Sequence, residues 1–289
     1  SMPLPKPRPP TMALKVRIQA FLKQAGLYHR IKASLLYSLY WRFADRAVVD
    51  DIRKEVIFYR NLLCGFAKGE LIFDVGANNG TKTEIFLKLG AKIIAVEPDD
   101  SNQKVLREKF LRYHLAPKPV TIVGKALSDK NSVETMWVDE PGSAKNTFSR
   151  KWVETLRDDQ SRFGQRLDFG GRAQIETTTL EDLFRVHGAP FFIKIDVEGY
   201  EVNVLRGLRR PVPYLSFEVN LPEFRSEGLE CVAILAALGA EGKFNYSADC
   251  RMGLALKEWI SSEQFLPILR ECSDPSIEVF WKTSLANGR

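Results

Sequence analysis

The chain has 289 residues, 45% of them hydrophobic, 27% charged and 11% aromatic, which is ordinary for a soluble protein of one or two domains with a sizeable core. Four cysteines without Cys-x-x-Cys spacing read as apolar fillers in a reducing compartment, and three histidines without a His-x-x-x-His pair argue against a zinc or histidine-rich metal centre. The net charge of +6 is uneven: residues 1–60 hold twelve bases against four acids, and the remainder 30 bases against 32 acids. A near-neutral body lacks the basic face that nucleic-acid binding needs, so no nucleic-acid partner is expected.

In chain order, residues 1–11 form a Pro-rich leader, expected to be extended or disordered. Ser1-Met2 reads as a remnant of tag removal, and neither a secretory signal nor a membrane span is read near the start, so a cytoplasmic protein is expected. Residues 12–68 carry a helical period with basic residues on the opposite face, and a second helix is expected over Val48–Phe66. Such a basic arm can pack on the body, lie on an anionic membrane surface or contact a second copy of the chain. A compact α/β domain is expected from residue 69 to residue 289.

Leu71–Val75 is a short apolar run that reads as a buried parallel strand. Gly76 and Gly80 bracket a tight turn through Ala77, Asn78 and Asn79, and a helix takes over after Thr81 and stops at Gly90. The next strand, from Lys92, ends in Glu97-Pro98, with Glu97 23 positions after Asp74. An acid at that strand end accepts hydrogen bonds from ribose hydroxyls. Because Ala77 and Asn78 replace the middle glycine of a dinucleotide fingerprint, the turn suits a nucleoside ligand with a small polar tail and no phosphate, such as S-adenosylmethionine. A nicotinamide-linked oxidoreductase is the alternative on a similar sheet, disfavoured by that missing glycine and by the lack of a Tyr-x-x-x-Lys pair. A binding protein that has lost activity is a second alternative, and a nucleic-acid methyltransferase a third, the latter lacking an Asn/Asp-Pro-Pro-Tyr motif.

Further along, a helix over Asp99–Tyr113 capped by Asp99 or Ser101, a strand over Val120–Lys125 and a hairpin-like run over Ser132–Val138 are expected. Residues 139–172 break the rhythm, with a helix over Ser149–Phe163, and this insertion is expected to cover the acceptor. A strand over Ala173–Thr179 and a short helix from Leu180 follow. Phe191–Ile195 is a buried strand ending in Asp196, Glu198 and Gly199. A helix over Glu201–Leu208, a strand over Tyr214–Asn220 that again ends in an acid, Glu218, a helix over Phe224–Leu238, and strands over Lys243–Ser247 and Ile277–Lys282 complete the chain. Short strands alternating with helices give a doubly wound, mostly parallel sheet.

Asp74-Val75-Gly76-Ala77-Asn78-Asn79-Gly80, Glu97-Pro98, Ala126-Leu127-Ser128-Asp129, Thr178–Leu183 and Ile193-Lys194-Ile195-Asp196-Val197-Glu198-Gly199-Tyr200-Glu201 occur in this order. Together they resemble the FkbM family of S-adenosylmethionine-dependent methyltransferases, over about residues 70–220. The resemblance implies a class I, Rossmann-like sheet of seven strands with an antiparallel last strand. It implies methyl transfer, commonly to a hydroxyl oxygen of a small-molecule, sugar or lipid-like acceptor. By position, Gly76, Ala77, Asn78 and Gly80, with Asp74, Asn79 and Thr81 beside them, would surround the methionine moiety. Glu97 and Pro98 would hold the ribose, and Ala126 and Leu127, with Ser128, would flank the adenine.

Hydroxyl methylation needs alignment of oxygen, methyl carbon and sulfur, and a base near the hydroxyl. Asp196 and Glu198 are the candidate bases, Glu218 is a third acid at a carboxyl-end strand terminus, and Lys194 shares the side of Asp196 and would neutralise it. His187 is a lesser candidate because it precedes the strand. Asp196, Glu198, Glu218 and Asn220 form an alternative set of oxygen ligands for Mg²⁺ or Ca²⁺.

Overall fold

The structure is a computed structural model that describes residues 46–111, 119–158, 167–239 and 241–287. The Pro-rich leader and the first helical stretch of the arm lie outside the described residues. Helix α1 (Arg46–Leu62) leads into β1 (Leu71–Val75), α2 (Thr81–Lys88), β2 (Lys92–Val96), α3 (Asp100–Lys109) and β3 (Val120–Val123). Then come β4 (Ala126–Leu127), β5 (Val133–Val138), α4 (Arg150–Asp158), β6 (Gly171–Thr178), α5 (Leu180–His187) and β7 (Phe192–Ile195). Helix α6 (Glu201–Arg206), β8 (Tyr214–Asn220), α7 (Arg225–Ala237), β9 (Lys243–Ser247), α8 (Ser262–Glu271) and β10 (Ser276–Lys282) finish the domain.

Seven strands form one sheet in the order β3-β2-β1-β7-β8-β10-β9. The β1–β2, β1–β7, β2–β3 and β7–β8 pairs are parallel, while β10 runs antiparallel to both β8 and β9. This is the expected doubly wound sheet with an antiparallel last strand. Continuous apolar runs such as Leu71–Val75 are used here because helices cover both faces of a parallel sheet. On one face, Phe73, Ile94, Ile193, Leu215 and Phe217 pack with apolar residues of α4–α8. On the other, Ile72, Ile93, Phe192, Tyr214 and Phe280 pack with α1, α2 and α3. A second, three-stranded sheet, β4-β6-β5, stands beside the main one.

Several boundaries differ from the sequence expectation. Phe58, Tyr59, Leu62 and Leu63 are buried in the second core face, and the compact unit that carries the sheet begins at Asp50. The expected division at residue 68/69 therefore falls inside this unit, because the apolar stripe of α1 covers the sheet. The run over Ser132–Val138 is not a local hairpin. It pairs antiparallel with β6, more than 30 residues away, from Val133↔Glu176 to Val138↔Gly171. Helix α4 ends at Asp158, and residues 159–166 lie outside the description. Helix α8 was not expected, because Pro267 inside it breaks the sequence pattern; it starts with a full Ser261–Gln264 capping box. The motif at Thr178–Leu183 is a helix start, with the Thr179 hydroxyl accepting the Asp182 N–H. Among the described residues, no helix is long and apolar enough to cross a membrane.

Candidate active site

Two cavities open at the carboxyl ends of the parallel strands, where sheets of this kind bind ligands, and among the described residues Asp196 alone lines both. The first is a cleft of about 160 Å³ between the ends of β1, β2 and β4. Its floor is built by the turn after β1. Gly76 and Ala77 both donate main-chain hydrogen bonds to the Val96 carbonyl, each at 3.0 Å. Gly76 has φ +81, and a Cβ there would lie 1.8 Å from the Asp196 carbonyl oxygen. Only glycine lets the turn lie this close to the β7 end. Asn78, also left-handed with φ 48, donates its N–H to Glu97 Oε2 at 2.7 Å.

Glu97 is 5% exposed, and its other oxygen accepts the Asp99 N–H at 2.8 Å. Each carboxylate oxygen holds one backbone donor and keeps acceptor capacity toward the cleft. Burial pushes the Glu97 carboxyl up to about 7, against the opposing pull of those two N–H groups. Ala126, Leu127, Met136 and Phe148 supply apolar walls. A buried acid for vicinal hydroxyls beside an apolar slot fits an adenosine moiety, and the residues present thus suit S-adenosylmethionine.

Of the residues expected around the cofactor, Gly76, Asn78, Glu97, Pro98, Ala126, Leu127 and Asp196 line this cleft. Asp74, Ala77, Asn79, Gly80 and Thr81 do not. Asp74 is fully buried and accepts the Thr83 hydroxyl at 2.5 Å, tying β1 to α2, and stands in register with Lys194. Ala77 packs into the core. Asn79 accepts the Thr81 N–H and hydroxyl, which caps α2, and Gly80 is backed by Leu106 and Phe110. These residues shape the turn from behind; spacing alone does not separate the front of such a turn from its back.

The stretch 139–172 was expected over the acceptor. Its residues Ser143, Ala144, Asn146 and Phe148 line the first cleft, and none of its described residues lines the second cavity. Asp99 is the tether: one oxygen caps α3, and the other accepts the Gly142 N–H at 3.0 Å and the Asn146 side-chain amide at 2.9 Å. The Thr147 hydroxyl donates to the Glu198 carbonyl at 2.7 Å.

The turn after β7 is held from below. Glu201, 6% exposed, accepts the N–H groups of Val197 and Gly199, and burial pushes its carboxyl up to about 7. It fixes Glu198 at φ 53. Tyr200 lines the cleft and hydrogen bonds to Glu134 and, at 3.2 Å, to Ser128; burial and that carboxylate push its phenol up to about 12. Glu201, Tyr200 and Asp99 went unassigned in the sequence. The first two stood inside the quoted motif, which was the available signal, whereas nothing marked Asp99 beyond helix capping.

The second cavity, about 340 Å³, lies between the middle of α1, the start of α2, the ends of β7, β8 and β9 and the start of β10. Lys194 and Glu218 line it beside Asp196. Lys194 Nζ, almost wholly buried, donates to Asp196 Oδ2 at 2.8 Å. Burial acts to raise the Asp196 carboxyl, but the Lys194 ammonium and a hydrogen bond from Glu218 outweigh it and hold the group below its usual range. Glu218 moves the other way, to about 8, through burial and the neighbouring Asp196 charge. Burial, then Asp196 and Glu218, raise Glu198 as well.

One oxygen from each of Asp196, Glu198 and Glu218 falls within 4.8 Å of the others. That donor set fits a hard cation, and protonation of Glu218 relieves the same repulsion. His187 ends α5 before β7, at the opposite, amino-terminal edge of the sheet.

No curated protein matches the chain. Among solved structures it is similar to a TehB-like S-adenosylmethionine-dependent methyltransferase from Corynebacterium glutamicum, at 11% identity and TM-score 0.41, covering 86% of this chain and 96% of that one. It is also similar to an S-adenosylmethionine-dependent methyltransferase from Agrobacterium tumefaciens (10%, 0.40, 79% and 62%). A third is the precorrin-6y C5,15-methyltransferase from Geobacter metallireducens (10%, 0.38, 80% and 86%). The methyltransferase FkbM domain matches residues 74–243, more than half of the sequence and all of the turn, Glu97 and Asp196 constellation. The chain belongs to the FkbM family of S-adenosylmethionine-dependent methyltransferases.

Proposed function

We propose that this protein methylates a hydroxyl oxygen of a small-molecule acceptor, with the cofactor in the first cleft and the acceptor reaching it across Asp196. The observation that carries this reading is the position of Asp196 on the wall of both cavities. When bound, S-adenosylmethionine supplies an electrophilic methyl carbon on a positively charged sulfur. Glu97 would hold the ribose hydroxyls, Gly76 and Asn78 would face the methionine portion, and Ala126 and Leu127 the adenine.

Asp196, kept ionised by Lys194, would accept the acceptor hydroxyl's hydrogen bond and aim its oxygen at the cleft. As the acceptor oxygen takes the methyl group, its proton would pass to the Asp196–Glu218 pair and then to water, with Lys194 holding Asp196 in place. Positioning of this kind supplies roughly 7–11 kcal/mol, and a placed base about 10²–10⁴-fold.

Calorimetric titration with S-adenosylhomocysteine and with NAD, with and without Mg²⁺, tests the reading. Binding of S-adenosylhomocysteine alone, unchanged by Mg²⁺, is expected. Binding of NAD instead would bring the oxidoreductase forward, and a large gain with Mg²⁺ would turn the three carboxylates into a cation site.

A further inference from the structure

We infer that the second cavity is the acceptor pocket and that it selects a compact, uncharged, polyhydroxylated molecule, rejecting acyl chains and anions. The inference rests on the methyl-transfer reading, since it supplies the acceptor for that site.

The lining decides the class. Of the thirteen residues around the cavity, only Ala248 and Ile277 have no polar group on the side chain. An alkyl chain placed there would strip water from ionised groups with nothing in return. A lipid-like acceptor is thereby disfavoured, although the family resemblance alone allows one.

Each cation on the wall already has its counter-ion. Lys82 pairs with Glu55, Lys194 with Asp196, and Arg251 with Asp249 and Asp51. A phosphate or carboxylate would have to displace a carboxylate to gain an ammonium, and would sit beside the acids Glu218 and Glu278.

An amine would have to draw Glu278 or Glu218 away from the neutral donors they already hold. Glu278, cross-strand from Glu218, accepts from Tyr59 (3.2 Å), Ser216 (2.6 Å) and Cys250 (3.2 Å). Glu218 accepts the Ser276 hydroxyl at 2.8 Å.

What remains is a wall of interleaved donors and acceptors, its cations paired and its two further acids, Glu218 and Glu278, held by neutral donors, and vicinal hydroxyls match such a wall because each both donates and accepts. The volume, about 340 Å³, is at the small end of ligand pockets, which span roughly 300–1,000 Å³. With one hydroxyl at Asp196, a ring of this size would place others near Glu278 and Lys82, some way from the transferred methyl. Glu278 is thus assigned to acceptor selectivity and not to the chemistry.

The experiment begins with S-adenosylhomocysteine binding to the purified chain. Its absence would overturn the methyl-transfer reading and this inference with it. With binding in hand, transfer of radiolabelled methyl is measured to four sets of probes: neutral methyl glycosides and cyclitols, long-chain alcohols, sugar phosphates, and amino sugars. Label on neutral polyols is expected, with Glu278→Ala raising KM for the best of them at least tenfold and leaving S-adenosylhomocysteine affinity unchanged. Glu278→Gln, which keeps one acceptor oxygen, should recover part of that loss. If S-adenosylhomocysteine binds but label reaches only long-chain alcohols, sugar phosphates or amino sugars, or none of the probes, the pocket assignment falls while the methyltransferase reading stands.

Discussion

The two cavities on either side of Asp196 are built on opposite plans. In the first cleft, a deeply buried carboxylate, Glu97, stands beside the apolar walls of Ala126, Leu127, Met136 and Phe148, and main-chain amides hold both its oxygens. In the second, nearly every wall residue is polar and each cation is paired with a carboxylate. A site for an invariant ligand can be rigid, because backbone donors have fixed positions and one acid suffices to read a ribose. The second cavity is assembled from side chains on six elements and the loops beside them, so its shape can vary without disturbing the turn after β1.

If the division of labour is as described, substitutions should separate the two sides. The largest effect is expected at their junction. Asp196→Asn should lower turnover by about 10²–10⁴-fold while S-adenosylhomocysteine affinity stays within a few-fold; single-turnover methyl transfer alongside calorimetry reads both. Full activity would remove Asp196 as the proton acceptor.

Next is Glu97→Ala, which should weaken S-adenosylhomocysteine binding by about 2–4 kcal/mol, roughly 30- to 1,000-fold, with little change in melting temperature. The wild type should show the same dependence through pH. The Glu97 carboxyl lies at about 7, and its ionised form is the one that accepts from two hydroxyls. Affinity should therefore be full above pH 7 and fall by up to about tenfold for each unit below it. A flat profile from calorimetry at several pH values would contradict the assignment.

On the acceptor side the pH effect has another midpoint. Glu218 lies at about 8, so the Asp196–Glu218 pair loses its shared proton, and becomes free to take one from the acceptor, as pH rises through that value. Turnover at saturating substrates should rise across this range, and Glu218→Gln should abolish the rise and leave the rate several-fold below wild type on the alkaline side. The smallest effect is expected at the tether. Asn146→Ala removes the amide contact to Asp99 and should cost the cofactor about 1 kcal/mol, roughly fivefold.

The sequence by itself determined the sheet, the turn and the acids. Apolar runs at Leu71–Val75, Lys92–Val96 and Phe192–Ile195 allow only buried strands, glycines at 76 and 80 permit the left-handed backbone of the turn, and Glu97 and Asp196 are placed by being the first residues past strand ends. These are local facts, set by residues within a few positions of one another.

What the tertiary structure alone decided is which side of each motif faces a ligand. Asp74 and Asn79 stand beside Gly76 and Asn78 in the chain, yet they bind Thr83 and Thr81 behind the turn. Glu201 reads as the start of a helix and serves as the staple that shapes Glu198. The second cavity depends on pairings over long separations: Glu278 with Tyr59 across 219 positions, and Arg251 with Asp51 across 200. Whether Lys82, Lys194 and Arg251 are free cations or neutralised ones depends on carboxylates brought to them from other elements. Sequence spacing carries no record of those distances, because they are set by how α1 and α2 pack on one face of the sheet that holds β10.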